Sequence, residues 1–431
     1  MDRTHPNYHN FIQILREELV PAMGCTEPIA IAYGAARARD ILGREPETVK
    51  VEASGSIIKN VKSVIVPNTG GLKGIAAAAA AGIVAGRSDL ILEVISQVSE
   101  AEKDAIRAFL DTHPIQVLPA PGDLIFDIII TLTAGADLVK LRISDYHTNI
   151  TLVEKNGHVL LQGGEVTDDA ADDGLIDRSC LSVESIVDFV NTMEVDDVRE
   201  LVERQMEYNY AIAQEGMNNN WGANIGKVLK HHYGTHVQLR ARYMAAAGSD
   251  ARMSGCEMPV IIVSGSGNQG ITATVPVMEY AKELKADHDT TVRAVTLSDL
   301  LTIHMKTGIG RLSAYCGAVC AGCGAGGAIA WLHGGGVREV SHTLVNALAT
   351  VSGIVCDGAK PSCAAKIASA VDAGLLGYHM FQDGQQFRGG DGIVTKGVEA
   401  TIHNVGRLGR VGMRETDREI LRIMTGQTEE C

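Results

Sequence analysis

The 431 residues carry a formal net charge of −14 without any block of lysines or arginines. That argues against nucleic acid and anionic membrane as partners, since both need a positive stripe, and favours a small-molecule substrate. Length allows a large core in two domains, and nine cysteines, an odd number, suit a reducing cytoplasmic setting better than a disulfide framework.

The first residues, MDRTHPNYHNFIQIL, show no basic region followed by an apolar core, so no signal peptide is expected, and the most apolar run, Gly74 to Gly86, is too short to span a bilayer. Residues Asn7 to Val20 place Phe11, Ile14, Leu15 and Leu19 at helical spacing, and Pro21 stops the pattern. In PAMGCTEPIAIAYGAARARDILG, Thr26 reads as an N-cap, with Glu27 and Pro28 in the first turn of a small-residue helix to Leu42. Cys25 then lies at a helix N-terminus, where the macrodipole should lower its pKa and make a thiolate available. The alternative is an inert packing cysteine.

Glu47 to Ile65 reads as strand, followed by the loop Pro67 to Gly71 and an alanine-rich helix, Leu72 to Ala85. A further helix is expected over Ser99–Thr112. Strands are expected at Leu124–Thr133, Asp137–Ser144, Asn149–Glu154 and Val159–Gln162, with Asn156-Gly157 as a hairpin turn. Lys59, Asn60, His147 and Asn149 fall at strand ends or loops where polar side chains can complete a pocket, although each taken singly reads more readily as a surface or satisfied residue. Asp168 to Asp177 is an acidic linker. Beyond Ser182 helical patterns dominate: 183–192, 195–215, 222–232, 238–247, 270–284, 297–307 and 340–351. The expected class is therefore α+β, with a mixed α/β domain over 1–180 and a mostly helical one over 181–431.

One apolar run, Val260 to Val263, feeds SGSGNQGITAT. Its Ser264, Gly265, Ser266, Asn268 and Gln269, followed by a helix, suit a carboxylate or phosphate, because glycines permit close approach and a helix end supplies N–H donors. It matches neither the dinucleotide fingerprint nor the P-loop. A tight connection with an N-cap is the plainer reading.

Gly308 to Lys366 holds five of the nine cysteines, a density that suggests a metal or redox role. Cys316, Cys320 and Cys323 have the C-x3-C-x2-C spacing of radical S-adenosylmethionine enzymes, but the βα series which that motif requires does not follow. As a helix, the three would share one small-residue face. In CDGAKPSC, Lys360-Pro361 interrupts any helix between Cys356 and Cys363, so these thiols flank a loop before a helix running to Gly374. His333 and His342 lack ligand spacing to the pair, which ranks iron–sulfur above zinc.

GCTEPIA at 24–30, SGSGNQGITAT at 264–274, RLSA at 311–314 and CDGAKPSC at 356–363 resemble the L-cysteine desulfidase family, also described as the UPF0597 group, whose helical part is similar to the α-chain domain of iron–sulfur L-serine dehydratases. The resemblance spans nearly the whole chain. It implies a [4Fe-4S] cluster on Cys316, Cys356 and Cys363 with one open iron, and a catalytic role for Cys25. It assigns nothing to Cys320 or Cys323. The expected reaction is β-elimination of sulfide from L-cysteine, giving pyruvate and ammonia. L-Serine dehydration and non-catalytic amino-acid binding with a structural metal are the alternatives. The expected partner is a small amino acid, with a homo-oligomer possible; Cys431 is a candidate cap for the cluster, set against the favoured reading of a frayed acidic tail.

Overall fold

The computed structural model describes residues 1–122, 124–163, 176–310 and 312–426. The acidic linker, apart from its last two residues, and Cys431 lie outside the described residues.

The N-terminal half is built on a six-stranded sheet in the order Ile115–Pro119, Thr48–Ala53, Asp127–Ala134, Asp137–Ser144, Ile150–Lys155, His158–Gln162. The first pair is parallel and the rest antiparallel. Strict alternation buries Val49, Val51 and Ala53 while Lys50 and Glu52 pair on the other face at 2.9 Å. Asn156 and Gly157, both at positive φ, make the expected hairpin. The helix Thr26–Leu42 lies on this sheet, its Gly34 so close that a Cβ would stand 2.8 Å from Ile130 Cδ1. The helix Gly74–Ala85 packs on it in turn; a Cβ on Gly82 would meet Ala32 O at 2.1 Å, so the small residues form a backbone contact surface.

Strand ends at Ala53, and the chain from Gly55 to Val61 is helix, correcting the strand reading of 47–65. Ile57 and Val61, four apart, are both fully buried. Over two turns such spacing cannot be told from strand alternation. The correction places Lys59 and Asn60 on a helix.

The C-terminal half is helical, which with the sheet makes the fold α+β. Its helices are Val183–Thr192, Arg199–Asn218, Ile225–Tyr233, Val237–Met253, Gly267–Glu283, His288–Ile309, Gly317–Leu332, Val337–Val351, Cys363–Gln382, Val398–Arg407 and Arg414–Thr425. The first helix of the chain, Tyr8–Glu18, packs against this half, Phe11 stacking on Phe189 at 4.9 Å. Gly322 and Gly326 let the helices Gly317–Leu332 and Cys363–Gln382 cross backbone to backbone: added Cβ atoms would stand 2.4 Å from Ala370 C and 2.6 Å from Gly374 O. A two-stranded ribbon, Pro21–Met23 antiparallel to Pro259–Ile261, joins the halves. It sets the entry of the Thr26–Leu42 helix beside the SGSGNQG segment. Among the described residues no helix is long and apolar enough to cross a membrane.

Candidate active site where four helices begin

The helices Thr26–Leu42, Gly267–Glu283, Gly317–Leu332 and Cys363–Gln382 start at one place. Thr26 Oγ1 donates to Gly265 O at 3.0 Å, tying the first start to the second. Gln269 lies over Gly317, where a Cβ would be 2.6 Å from its Cδ, tying the second to the third. The third meets the fourth through the loop before it. Tyr315 bridges Val355, and Cys316 N–H donates to Ile354 O at 3.0 Å and Cys356 N–H to Ala314 O at 2.6 Å. The N-caps are Cys25, Ser266, Cys316 and Ser362, and none makes a side-chain capping hydrogen bond. Four first turns therefore present uncapped N–H donors and positive dipole ends to one another. Cys25 rather than Thr26 is the N-cap. The SGSGNQG helix begins at Gly267, not Gly270, so Asn268 and Gln269 are first-turn residues behind a two-residue turn in which Ser264 and Gly265 both have positive φ.

Cys316, Cys356 and Cys363 are half-buried and interact electrostatically. Burial, then the neighbouring Cys356 and Cys363, push the Cys316 thiol up to about 12, with Lys366 opposing. Burial also raises Cys363, with Cys356 adding and Lys366 and Lys360 opposing. Lys366 pairs with Asp357 and donates to Val355 O at 2.8 Å, which holds its charge at the loop. Gly358, at φ +93°, presses the loop onto the Gly55–Val61 helix; a Cβ there would stand 2.4 Å from Lys59 O. Cys320 and Cys323 are fully buried in the apolar core, and burial raises both thiols, Cys320 to about 12. His342 stacks on Phe381 and His333 lies against Tyr378, so both imidazoles pack on aromatic rings of the Cys363–Gln382 helix. Among the described residues no three His, Cys, Asp or Glu side chains close on a single-ion position.

Cys25 is linked to this thiol group through Arg252, which interacts with both Cys25 and Cys363. Cys25 is 4% exposed, and its Sγ donates to Glu27 Oε2 at 2.9 Å. Glu27 also accepts from Thr26 Oγ1 at 3.2 Å and, on Oε1, from Asn60 Nδ2 at 2.9 Å. Burial would raise Glu27, but His147, the Cys25 hydrogen bond and Arg252 together hold its carboxyl below the usual range. Burial and the Glu27 carboxylate push the Cys25 thiol well above its ordinary value, against the pull of Arg252. The expectation of a lowered Cys25 pKa is thus overturned: the helix dipole is present, but desolvation and a carboxylate in contact outweigh it. His147 is buried edge-on to Phe126 at 4.9 Å.

The structure therefore brings together Cys25, Asn60, His147 and Gln269 with Glu27 and Arg252, beside Cys316, Cys356 and Cys363. Ser264, Gly265, Ser266 and Asn268 form the turn and helix entry next to them. Two candidates point elsewhere. Lys59, only 2% exposed, is ion-paired with Asp417 of the C-terminal helix, and Asn149 closes its own turn through Ser144 O at 3.1 Å. Glu27 and Arg252 were not singled out by sequence reasoning. Glu27 had a signal in its place two residues after Cys25; Arg252 had none, lying at the end of an unrelated helix.

Residues 89–422 match the family model for the serine dehydratase alpha chain. That span contains the three grouped thiols, Arg252 and Gln269, while Cys25, Glu27 and Asn60 precede it. The chain is 60% identical over 427 residues to a UPF0597 protein of Desulfitobacterium hafniense, covering 99% of each. It is 48% identical over 417 residues to one of Lachnoclostridium phytofermentans, covering 97% of this chain and 99% of the other. A UPF0597 protein of Treponema denticola is 46% identical over 424 residues, covering 97% and 98%. The chain belongs to the UPF0597 group and, through residues 89–422, to the serine dehydratase alpha-chain family.

Proposed function

We propose that this protein is a lyase that eliminates sulfide from L-cysteine, using a [4Fe-4S] cluster held by Cys316, Cys356 and Cys363. Membership in the serine dehydratase alpha-chain family supports the lyase class. The observation that carries the finer reading is Arg252, a buried guanidinium that interacts with Cys25 and Glu27 and also with Cys363. One cation thus spans the acid–base pair and the thiol group.

The residues suit such a cluster. Of the three mutually interacting thiols, Cys316 and Cys363 sit at uncapped helix starts and Cys356 in the loop between, with Lys366 beside them, a setting that compensates several negative charges. A single zinc ion needs every ligand within about 2.3 Å of one point, whereas a cage takes each thiolate on a separate iron. When bound, the cluster supplies Lewis acidity that makes a β-thiol a better leaving group.

The remaining chemistry falls to the chain. Cys25 passes its proton to the Glu27 carboxylate, and the thiolate so formed takes the α-proton of the substrate, a general-base role worth roughly 10² to 10⁴ in rate. As the Cα–H pair becomes the Cα=Cβ π bond, the Cβ–S bond breaks and the sulfur leaves with that bond's own electron pair, as hydrosulfide. The aminoacrylate tautomerises to an imine, which water hydrolyses to pyruvate and ammonia. Asn60 holds Glu27 in place, and His147 helps hold its carboxyl below the usual range. Transfer from the raised Cys25 thiol is therefore uphill, and the thiolate is a minor species consumed as it takes the α-proton. Enclosure of Cys25 excludes water from the carbanionic step.

Anaerobic purification, reconstitution with iron and sulfide, visible spectroscopy and assay of sulfide from L-cysteine test this reading, with L-serine in parallel. Absorption from a cluster, lost on replacing Cys316, Cys356 or Cys363 by Ser, and release of sulfide are expected. No cluster and no sulfide would refute it, and turnover of L-serine alone would move the leaving group from thiol to hydroxyl.

A further inference from the structure

Arg252 ends the helix Val237–Met253 and is 3% exposed. Among the described residues it forms no hydrogen bond and no ion pair, and its buried Nε has no acceptor. A guanidinium cannot shed its charge, and although Glu27, Cys25 and Cys363 act on it through space, no hydrogen bond offsets its burial, so the fold holds it there against a desolvation penalty. The space for it is built. Gly267 lies across it, and a Cβ there would stand 2.4 Å from Nε and 2.8 Å from Cζ. Glu27, though near, is already engaged on both oxygens by Asn60, Cys25 and Thr26.

A second orphan lies at the same helix entry. Gln269 is 4% exposed, and no hydrogen bond reaches its buried Oε1. Its amide is pressed between its own helix start and Gly317, next to Cys316. Arg252 offers a planar donor fork that matches a carboxylate. Gln269 offers one acceptor, which an ammonium can satisfy, and two donors. A zwitterion carrying both groups on one carbon satisfies both orphans at once.

We infer that Arg252 and Gln269 form the α-amino-acid subsite, Arg252 taking the carboxylate through its fork and Gln269 Oε1 accepting from the ammonium. This moves carboxylate recognition from the 264–270 loop alone to a residue outside it. It deepens the lyase reading above but is measured separately, because it concerns binding and not turnover.

The test is calorimetric titration of the anaerobically reconstituted full-length protein with L-alanine, which has no β-leaving group, and with L-alaninamide, which lacks the carboxylate. The wild type is expected to prefer L-alanine by about 100-fold, in line with the loss of one buried charge-assisted pair. Arg252→Met should abolish that preference. Arg252→Lys, keeping charge without the fork, should reduce it to about 10-fold, and Gln269→Leu should weaken both ligands about 10-fold. Absence of preference in the wild type overturns the assignment, as does an Arg252→Met protein of unchanged melting temperature that still prefers L-alanine. If Arg252→Met instead loses the visible absorption while Arg252→Lys keeps the full preference, the guanidinium serves the thiolates and the inference is equally overturned. Arg252-dependent L-alanine binding without sulfide from L-cysteine would sink the desulfidase reading and leave the subsite standing.

Discussion

Replacing Glu27 by Gln isolates the cause of the raised Cys25 thiol. Gln conserves volume, its carbonyl still accepts from Asn60, and its amide can donate to the Cys25 sulfur, so the change removes one negative charge 2.9 Å from Sγ and little else. A like charge in contact typically displaces a titration by about one to three pH units, or about 1.4 to 4 kcal/mol. Burial is the largest cause of the raised value and persists, so Cys25 in Glu27→Gln should titrate lower than in the wild type yet still above a free thiol. Thiolate absorbance against pH, with the matching Cys25→Ser protein subtracted, reads this directly. Stability carries the same sign. A thiol raised in the native state keeps a proton that the unfolded chain has lost, so wild-type stability falls as pH rises past the ordinary thiol value near 8.5, and the fall should be smaller in Glu27→Gln. If Glu27 is also the acceptor of the Cys25 proton, the variant should lose activity near neutrality by about 10²-fold or more and recover part of it in alkali. An unchanged Cys25 titration would refute the electrostatic reasoning, and unchanged activity near neutrality would refute the relay.

Asp299 is fully buried, accepts from Gln205 Nε2 at 2.8 Å, and is raised by burial to about 8. Its native carboxyl therefore holds a proton that the unfolded chain releases near pH 4, and stability should fall between about pH 4 and 8 by up to about 1.4 kcal/mol per pH unit. Asp299→Asn should remove that slope, and its advantage in melting temperature should widen with pH up to about 8 and then stay level. Gly322→Ala sets a Cβ 2.4 Å from Ala370 C, where backbone cannot yield. The gain in helix propensity of about 1 kcal/mol should be overcome by overpacking of about 1–3 kcal/mol, seen as a lower denaturant midpoint at constant m-value. Replacing Cys320 and Cys323 together by Ala should cost roughly 1–2 kcal/mol per site through lost core contacts while leaving visible absorption after reconstitution intact; loss of that absorption would return these thiols to the ligand set.

Long periodic elements were legible in the sequence because many residues vote for them. The helix Glu100–Thr112 even carries the Ser99/Glu102 capping box that sequence patterns encode. Gly55–Val61 was not, since two turns give two votes, Ile57 and Val61, and alternation claims the same residues. The Cys356 and Cys363 loop was legible through Lys360-Pro361, which forbids helix locally. What joins it to Cys316 is a single bridge, Tyr315 to Val355, between segments separated by two helices, and no local pattern records such a pairing.

Cys25 shows why a correct element can still mislead about chemistry. Its place at a helix start was readable, and from that start alone a lowered thiol follows. Dipole effects of this kind amount to about 0.3–1 kcal/mol at an exposed end, whereas full burial moves a titration by as much as three to five pH units, and burial is set by the tertiary fold, which no sequence neighbour of Cys25 records. Applied to the group of four helix starts, the same dipole argument concerns ligands of fixed charge, not the choice between a thiol and a thiolate. A helix end can hold an anion that is already formed far more readily than it can make one in a dry site. On the proposed mechanism Cys25 therefore needs Glu27 to receive its proton, so that a residue conspicuous in the sequence depends on one that is not.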